Sequence, residues 1–444
     1  MTILQKMIRD GKKNRMDLKQ SDLTPLHEAL KVVLEAARPL GLEKIAILNT
    51  LGRVLGEDII AMRDNPPWDN SAMDGFAVRW EDLKQEHAIS KPITLSVIED
   101  VPAGKVATKV VGPGQAIRIM TGAPLPRGAN AVVKVEETEP SADSVKIFKP
   151  IEPRANVRPQ GEDVKKGECI IRKGTQIRPA EAGMLAILAK SFVLVYQQPR
   201  VAILSTGDEL ADLDERFSEE KIINSNSYGI AAAVQEAGGI PILLGIASDQ
   251  PEALKEKIAH GLNADILVLS GGVSMGDYDF TKAVFKELGA EMNFWKLAIR
   301  PGQPLAFGKI QGKLAFGLPG NPVSSMVTFE QLVRPAMLKM GGLRTYGRPV
   351  VQAQIQEQFS KRNDRRHFLR GVLTREDGVF KVRTTGEQGS GILTSMVKAN
   401  CLIDVSEEIE RLNPGDWTDV QVLTHDIWTT EPPPVSSGHG THCC

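Results

Sequence analysis

The stretch ADILVLSGGVSMGDYDFT, residues 264–281, decides how this chain is read. From Asp265 to Ser270 it is a short, continuous apolar run, the pattern of a strand buried on both faces of a parallel sheet. The run ends at Gly271-Gly272 and passes Ser274, Asp277 and Asp279 before Ala283, Val284 and Leu288 take up helical spacing. A buried strand that ends in glycines and opens into a helix brings backbone amides, a hydroxyl and two carboxylates to one rim of a sheet. That rim is where open α/β sheets bind ligands.

Working outward, the pattern from Arg200 alternates strand and helix. The strands are VAILS, IPILLGI, DILVLS and MNFWKLAI; the helices run roughly 227–237, 251–260 and 281–288. Such alternation implies right-handed crossovers and a parallel sheet. PLAFGKI and GKLAFGL, separated by Gln311-Gly312, predict a hairpin. Asn321-Pro322 then opens a long helix, 323–339, that stops at Gly341-Gly342. An α/β domain over 199–344 follows. Short alternating strands over 345–428 predict a small C-terminal β-barrel or sandwich, and 429–444 (EPPPVSSGHGTHCC closes it) reads as a disordered tail.

Toward the N-terminus, residues 1–20 are basic with few apolar anchors and read as a mobile arm. Thr24 is expected to cap a helix with Pro25 at its first position, and a second helical run is expected over 42–51, ending at Gly52. Residues 59–153 turn to short β-rich runs punctuated by Gly and Pro, a separate strand-rich domain entered through NPPWDNSAMDGFAV. Pro179 to Leu188 is expected to be helical. Residues 21–58 and 154–198 then form one discontinuous, elongated domain with the β domain inserted between its pieces.

The chain has 444 residues, 42% hydrophobic and 25% charged, so about two to four ordinary globular domains are expected. Lys+Arg 54 against Asp+Glu 55 leaves almost no net charge, which argues for neither a nucleic-acid nor a membrane partner. No apolar run approaches a bilayer span, and a cytoplasmic location is expected. The four cysteines, Cys169, Cys401 and the pair Cys443-Cys444, form no CxxC, so neither a disulfide framework nor a zinc knuckle is indicated. His439, His442 and the terminal cysteines read as part of a floppy tail.

In a parallel sheet the C-terminal strand ends share one edge. VAILS leads to Thr206, Asp208 and Glu209, IPILLGIAS to Asp249, and DILVLS to Ser274, Asp277 and Asp279. Asp249 and Asp279 each also read as helix caps; gathered at one rim, the carboxylates read as a site. GLPGNPVSS, residues 317–325, forms a second cradle, with glycines that admit a ligand and a helix start that favours an anion. Neither glycine stretch matches GxxxxGK[ST] or GxGxxG, so an ordinary nucleotide site is not supported. Lys296 and Arg300 add positive charge nearby, suiting a site that holds both an anion and a divalent cation.

These residues resemble the molybdopterin molybdenumtransferases, a family that includes the C-terminal domain of gephyrin. The matching stretches are DNSAMDGFAV, RIMTGAPLPRGANAVV, GEDV, STGDEL, SGGVSMGDYDFTK, FWKLAIRPGQPLAFGK, GLPGNPVSS, RGVL and QGSGILTS, in family order over about residues 21–428. The resemblance implies an elongated, multidomain homodimer: a three-layer, mostly parallel α/β molybdopterin-binding domain, the inserted β domain and a C-terminal β domain. Its active site would lie between the α/β domain of one subunit and the inserted domain of the other. The implied reaction inserts molybdenum into adenylylated molybdopterin, with Mg²⁺-dependent hydrolysis of the adenylate, giving molybdenum cofactor and AMP. A molybdopterin adenylyltransferase would supply the substrate and recipient molybdoenzymes would take the product.

Carried over by position, the resemblance assigns Asp74, Thr121, Asp163, Glu209, Asp249, Asp279, Lys296 and Arg300 to catalysis, with Glu209, Asp249 and Asp279 on Mg²⁺. It assigns Gly271, Gly272, Ser274, Asp277, Pro319, Gly320, Asn321, Pro322, Ser324, Arg158, Arg370 and Ser390 to binding. Arg300 stands where a lysine is common, Gln303 replaces a frequent lysine, and Pro159-Gln160 interrupt a more basic run; these departures bear on oxyanion selectivity, molybdate against tungstate. Two other readings share the fold: a gephyrin-like scaffold, which carries fused partner domains and long linkers, and a molybdopterin adenylyltransferase, against which the inserted DNSAMDG domain argues.

Overall fold

The computed structural model describes residues 23–84, 92–102, 104–215, 219–272, 278–361 and 365–424, with the side chains of 278–282 outside that set. The expected basic arm and tail, Ser274, Asp277 and the side chain of Asp279 lie outside the described residues. The chain divides into two compact units. One comprises 1–43, 52–56 and 194–444; the other comprises 44–51 and 57–193.

In the first unit a six-stranded sheet runs in the order Ile240–Ala247, Arg200–Thr206, Ile266–Ser270, Lys313–Leu318, Pro304–Ile310, Glu291–Lys296. The first four strands are parallel and the last two join antiparallel. All five residues of the Ile266 strand are buried, as a strand covered on both faces requires. Side chains alternate between two cores. Val201 and Ile203 pack with Ile230, Val234, Val323 and Leu332, whereas Ala202 and Leu204 pack with Leu254, Ile258, Val284 and Phe285. Helices Ser225–Glu236 and Pro322–Thr328 therefore cover one face, and Pro251–Gly261 and Tyr278–Glu287 the other, giving the expected three layers. Full burial of such side chains contributes roughly 1.5–3 kcal/mol each. Gln311 and Gly312, at φ 50° and 79°, make the two-residue hairpin turn that needs positive φ at both positions.

The last part of the unit is a closed five-stranded barrel, not a sandwich. Arg366–Glu376 pairs with Val379–Thr384, then Val350–Ile355, Trp417–Val422 and Cys401–Val405 follow, and the last strand pairs back to the first. The second unit carries its own six-stranded sheet, ordered Ala131–Lys134, Gly75–Val78, Gln115–Ile119, Ile93–Val101, Ser144–Ile147, Thr138–Pro140, around Phe76, Leu95, Val133 and Val145. Among the described residues no helix is long and apolar enough to cross a membrane.

Four local expectations are corrected. The helix Leu26–Ala36 is preceded by Pro25, without a side-chain cap, because Thr24 is drawn into backbone pairing with Lys296 and Ala298. Residues 42–51 are not helical: Leu42–Ala46 is a strand and Ile47–Asn49 a 3₁₀ turn. Backbone bonds from Gln197 to Gly41 and from Ile47 to Ser191 satisfy this segment better than an isolated short helix could. The long helix after Asn321 is interrupted by a π turn at Phe329–Val333 before Arg334–Met340 completes it. MNFWKLAI is two strands, Glu291–Lys296 and Ile299–Arg300, and the second pairs with Arg366-His367 of the barrel.

Candidate active site

Three parallel strands end at one rim in glycines. After buried Thr206, Gly207 adopts φ 138°, and a Cβ there would collide with the Glu209 carboxylate folded back over it. Gly271 continues the Ile266 strand at φ 92°; a Cβ would lie 2.7 Å from the Thr206 carbonyl oxygen and 3.2 Å from its hydroxyl. Gly320, beyond the Lys313 strand and buried Pro319, comes close enough that its Cβ would sit 3.8 Å from the Gly271 Cα. The two glycine cradles read from sequence therefore abut.

Beneath them lies a buried hydroxyl network. Ser205 Oγ donates to Asn224 Oδ1 at 2.9 Å and lies 2.9 Å from Ser227 Oγ, while Asn224 Oδ1 also accepts the Ser227 amide as helix cap. Thr206 Oγ1 and Ser325 Oγ, by contrast, are buried with no hydrogen-bond partner among the described residues. Such groups cost about 1–3 kcal/mol each when left unmade.

Asp208, Glu209 and Asp249 are exposed at this rim, and the Asp249 amide donates to Asp208 Oδ1 at 3.2 Å. Asp279 lies at the second position of the helix Tyr278–Glu287. Among the described residues no three His, Cys, Asp or Glu side chains are grouped closely enough to hold a metal by themselves. Lys296 ends its strand half-buried, opposite Pro304; Arg300 is exposed on the short strand tied to the barrel, in register with His367.

The barrel reaches the second cradle directly. The Val323 amide, in the first turn of the helix opened by Pro322, donates to the Ser390 carbonyl at 3.1 Å. One of the amides expected to face a ligand is thus already used, while Ser324 and Ser325 stay buried in that turn and Asn321 makes no side-chain cap. Arg370 is 1% exposed beneath the same loop, with Nη2 donating to the Gly389 carbonyl at 3.2 Å and Nε to Ser395 Oγ at 3.0 Å. Burial pushes its guanidinium down to about 10.

In the second unit the motif stretches also meet one another. Asp74 Oδ1 accepts both the backbone amide and the hydroxyl of Thr121, each at 2.7 Å, and these bonds hold its carboxyl below the usual range. Arg158 pairs in register with Asn70, and Asp163 accepts from the Asn65 side chain at 3.0 Å. Asp69 is held down in pKa by the Gln160 amide first and Arg154 second. The DNSAMDG loop and the GED turn thus form one hydrogen-bonded end of this unit.

Sequence reasoning passed over Asn226. Its Nδ2 donates to Ser270 Oγ and to the Gly320 carbonyl, both at 2.8 Å. The signal was present as Asn-Ser-Asn at residues 224–226, but the helix was expected to begin at Ser227 and actually begins at Ser225.

A three-layer α/β unit that gathers glycine backbone, carboxylates and cationic side chains at its strand ends, with a β-barrel appended, defines an enzyme of the molybdopterin-binding fold. Family models match along the chain: "MoeA N-terminal region (domain I and II)" over residues 24–189, "Probable molybdopterin binding domain" over 202–339, and "MoeA C-terminal region (domain IV)" over 352–423. A molybdopterin molybdenumtransferase of Haemophilus influenzae is 37% identical over 399 residues, covering 89% of this chain and 97% of the relative. One from Nostoc is 39% identical, covering 79% and 82%. A crystal structure of a molybdopterin biosynthesis protein, moeA, from Pyrococcus horikoshii superposes with a TM-score of 0.78 at 35% identity, covering 90% of this chain and all (100%) of that one. The chain belongs to the molybdopterin molybdenumtransferase family.

Proposed function

We propose that this enzyme inserts molybdenum into adenylylated molybdopterin, hydrolysing the adenylate as molybdate is taken up and releasing AMP. The observation that carries the reading is the abutting pair of glycine cradles, Gly271 against Gly320, with the buried Thr206 hydroxyl beside them. Backbone exposed by glycine lets a phosphate group approach closely. Insertion of molybdenum into molybdopterin is supported by relatives named for that activity along most of the chain.

The donor set at the rim fits Mg²⁺. Glu209 and Asp249, with Asp279, offer only hard carboxylate oxygens, and Mg²⁺ is commonly held by one or two carboxylates plus substrate phosphates and water. When bound, the ion would offset charge developing on the phosphoanhydride oxygens. The chain's own groups orient the substrate: the cradles hold the phosphates, Lys296 and Arg300 draw in the tetrahedral oxyanion, and buried Arg370 supports the Ser390 loop from beneath through the Gly389 carbonyl. No protein nucleophile is required.

The enzyme acts in this reading as a cytoplasmic homodimer in which Asp74 and Thr121 of a partner subunit complete each site. Support for self-association comes from Leu48 at 92% exposure and Leu51 at 70%, with Ile187 and Phe192 also exposed. These residues lie on or next to the packed 3₁₀ turn Ile47–Asn49 and helix Pro179–Ile187, and exposed apolar side chains so grouped favour a protein interface. An adenylyltransferase supplies the substrate and molybdoenzymes receive the product. Purified protein given adenylylated molybdopterin, Mg²⁺ and molybdate should release AMP and form molybdenum cofactor; dimeric, folded protein that yields neither overturns the reading.

A further inference from the structure

We propose that Asn226 is a positioning residue that fixes the spacing of the two glycine cradles and thereby sets the enzyme's affinity for its phosphate-bearing pterin nucleotide. The inference rests on the active-site reading above. Ser270 and Leu318 form the last register pair between the Ile266 and Lys313 strands, and the Gly271 amide to Leu318 carbonyl bond, at 3.1 Å, closes that ladder. Past this point the strand pairing ends and the chains run on into the abutting cradles, where glycine carries no side chain that could lock the gap between them. The Asn226 amide group spans it instead. Its two hydrogens go one to each side, to Ser270 Oγ just before Gly271 and to the carbonyl of Gly320.

The platform that carries Asn226 is rigid. Asn226 is the second residue of the helix Ser225–Glu236, directly after the Asn224 cap, and Asn224, Ser205 and Ser227 interlock beneath it as a buried network tied to the Arg200 strand. Asn226 itself is only half-buried, so its truncation leaves the core filled. The Gly320 carbonyl can only accept, whereas the Ser270 hydroxyl can accept or donate. Aspartate has the same shape but can at most accept the Ser270 proton and sets a carboxylate against the Gly320 carbonyl; serine can donate once.

Steady-state kinetics on the purified protein test this, with KM for adenylylated molybdopterin and KM for molybdate measured separately beside thermal melting. Asn226→Ala should raise the nucleotide KM about tenfold, because misplaced binding groups lose affinity steeply. The molybdate KM should stay within about twofold of wild type, as a local loss of one tie predicts, and the melting temperature should change little. Asn226→Ser should fall between alanine and wild type, and Asn226→Asp should be at least as impaired as alanine. An active wild type with an Asn226→Ala nucleotide KM equal to its own overturns the inference while leaving the active site intact. So does an equal rise in both KM values that tracks a fall in melting temperature, which is the mark of a merely structural residue. A folded wild type that releases no AMP overturns the active-site reading, and this inference with it.

Discussion

The rim of the α/β sheet and the loop end of the inserted β unit gather polar residues by opposite means. At the rim, strands buried on both faces fix where each chain emerges, and the polar groups are delivered by a hydrophobic core with one buried hydroxyl network beneath it. In the inserted unit, loop carboxylates fix one another: Asp74 by Thr121, Asp69 by Gln160 and Arg154, Asp64 by the Lys166 amide first and the Gln160 side chain second. The first arrangement resists a shift of any one residue and leaves two hydroxyls unmatched. The second matches its loop carboxylates with donors from its own loops, keeps Asp74 exposed and Asp64 and Asp69 half-buried, and leaves only the buried Asn70 Oδ1 beside them without a partner among the described residues. Unmatched groups belong where a ligand arrives, and self-matched ones where a preformed wall is needed.

That contrast can be broken at several points. Asp279→Ala should lower AMP release by about 10²–10³, as expected when charge stabilisation at a phosphoryl centre is removed, with binding of the nucleotide by calorimetry retained. Unchanged turnover would remove the metal-site assignment. Next, mixed dimers of Asp74→Ala and Asp279→Ala protomers should recover up to about half of wild-type activity per dimer, since one of two symmetric sites then holds both native residues. No recovery would place the two residues in the same subunit's site.

Smaller effects separate backbone from side chain. Gly271→Ala should cost about 1–3 kcal/mol in denaturant unfolding, because φ 92° and the Thr206 carbonyl both oppose a Cβ. Gly320→Ala, with only an ordinary contact at 3.8 Å, should cost less than about 0.5 kcal/mol. The smallest effect concerns pH. Asp74 has a folded pKa below its unfolded value, so its contribution to stability is complete above the ordinary carboxylate range, near about 4, and is lost as pH falls through and below that range. Thr121→Val removes one of the two bonds and should move the Asp74 titration, followed by NMR, upward toward the ordinary range with little change in melting temperature.

Much of the rim was legible because its signals are local. A run of buried β residues ending in glycine names both the strand and its exit, and Gln311-Gly312 or Pro322 announces a turn or helix start without help from afar. What misled was tertiary pairing. Thr24 has the chemistry of a cap, yet Lys296 and Ala298 claim its backbone; residues 42–51 have helical spacing, yet the 191–197 segment offers backbone partners that a short helix lacks. The split at Leu297 was hidden for the same reason, because the pairing of Ile299-Arg300 with the barrel depends on residues far along the chain. Asn226 was missed because an asparagine at a helix start has a sufficient local explanation, and its two acceptors lie 44 and 94 positions away.

The central claim is that one chain couples loss of the adenylate to uptake of molybdenum. Single-turnover reaction of the purified protein with adenylylated molybdopterin and Mg²⁺, quenched with and without molybdate, measures it most directly. The account predicts AMP and molybdenum cofactor appearing together, in equal amounts, when molybdate is present. Folded protein that binds the nucleotide and leaves it adenylylated with molybdate present would contradict it.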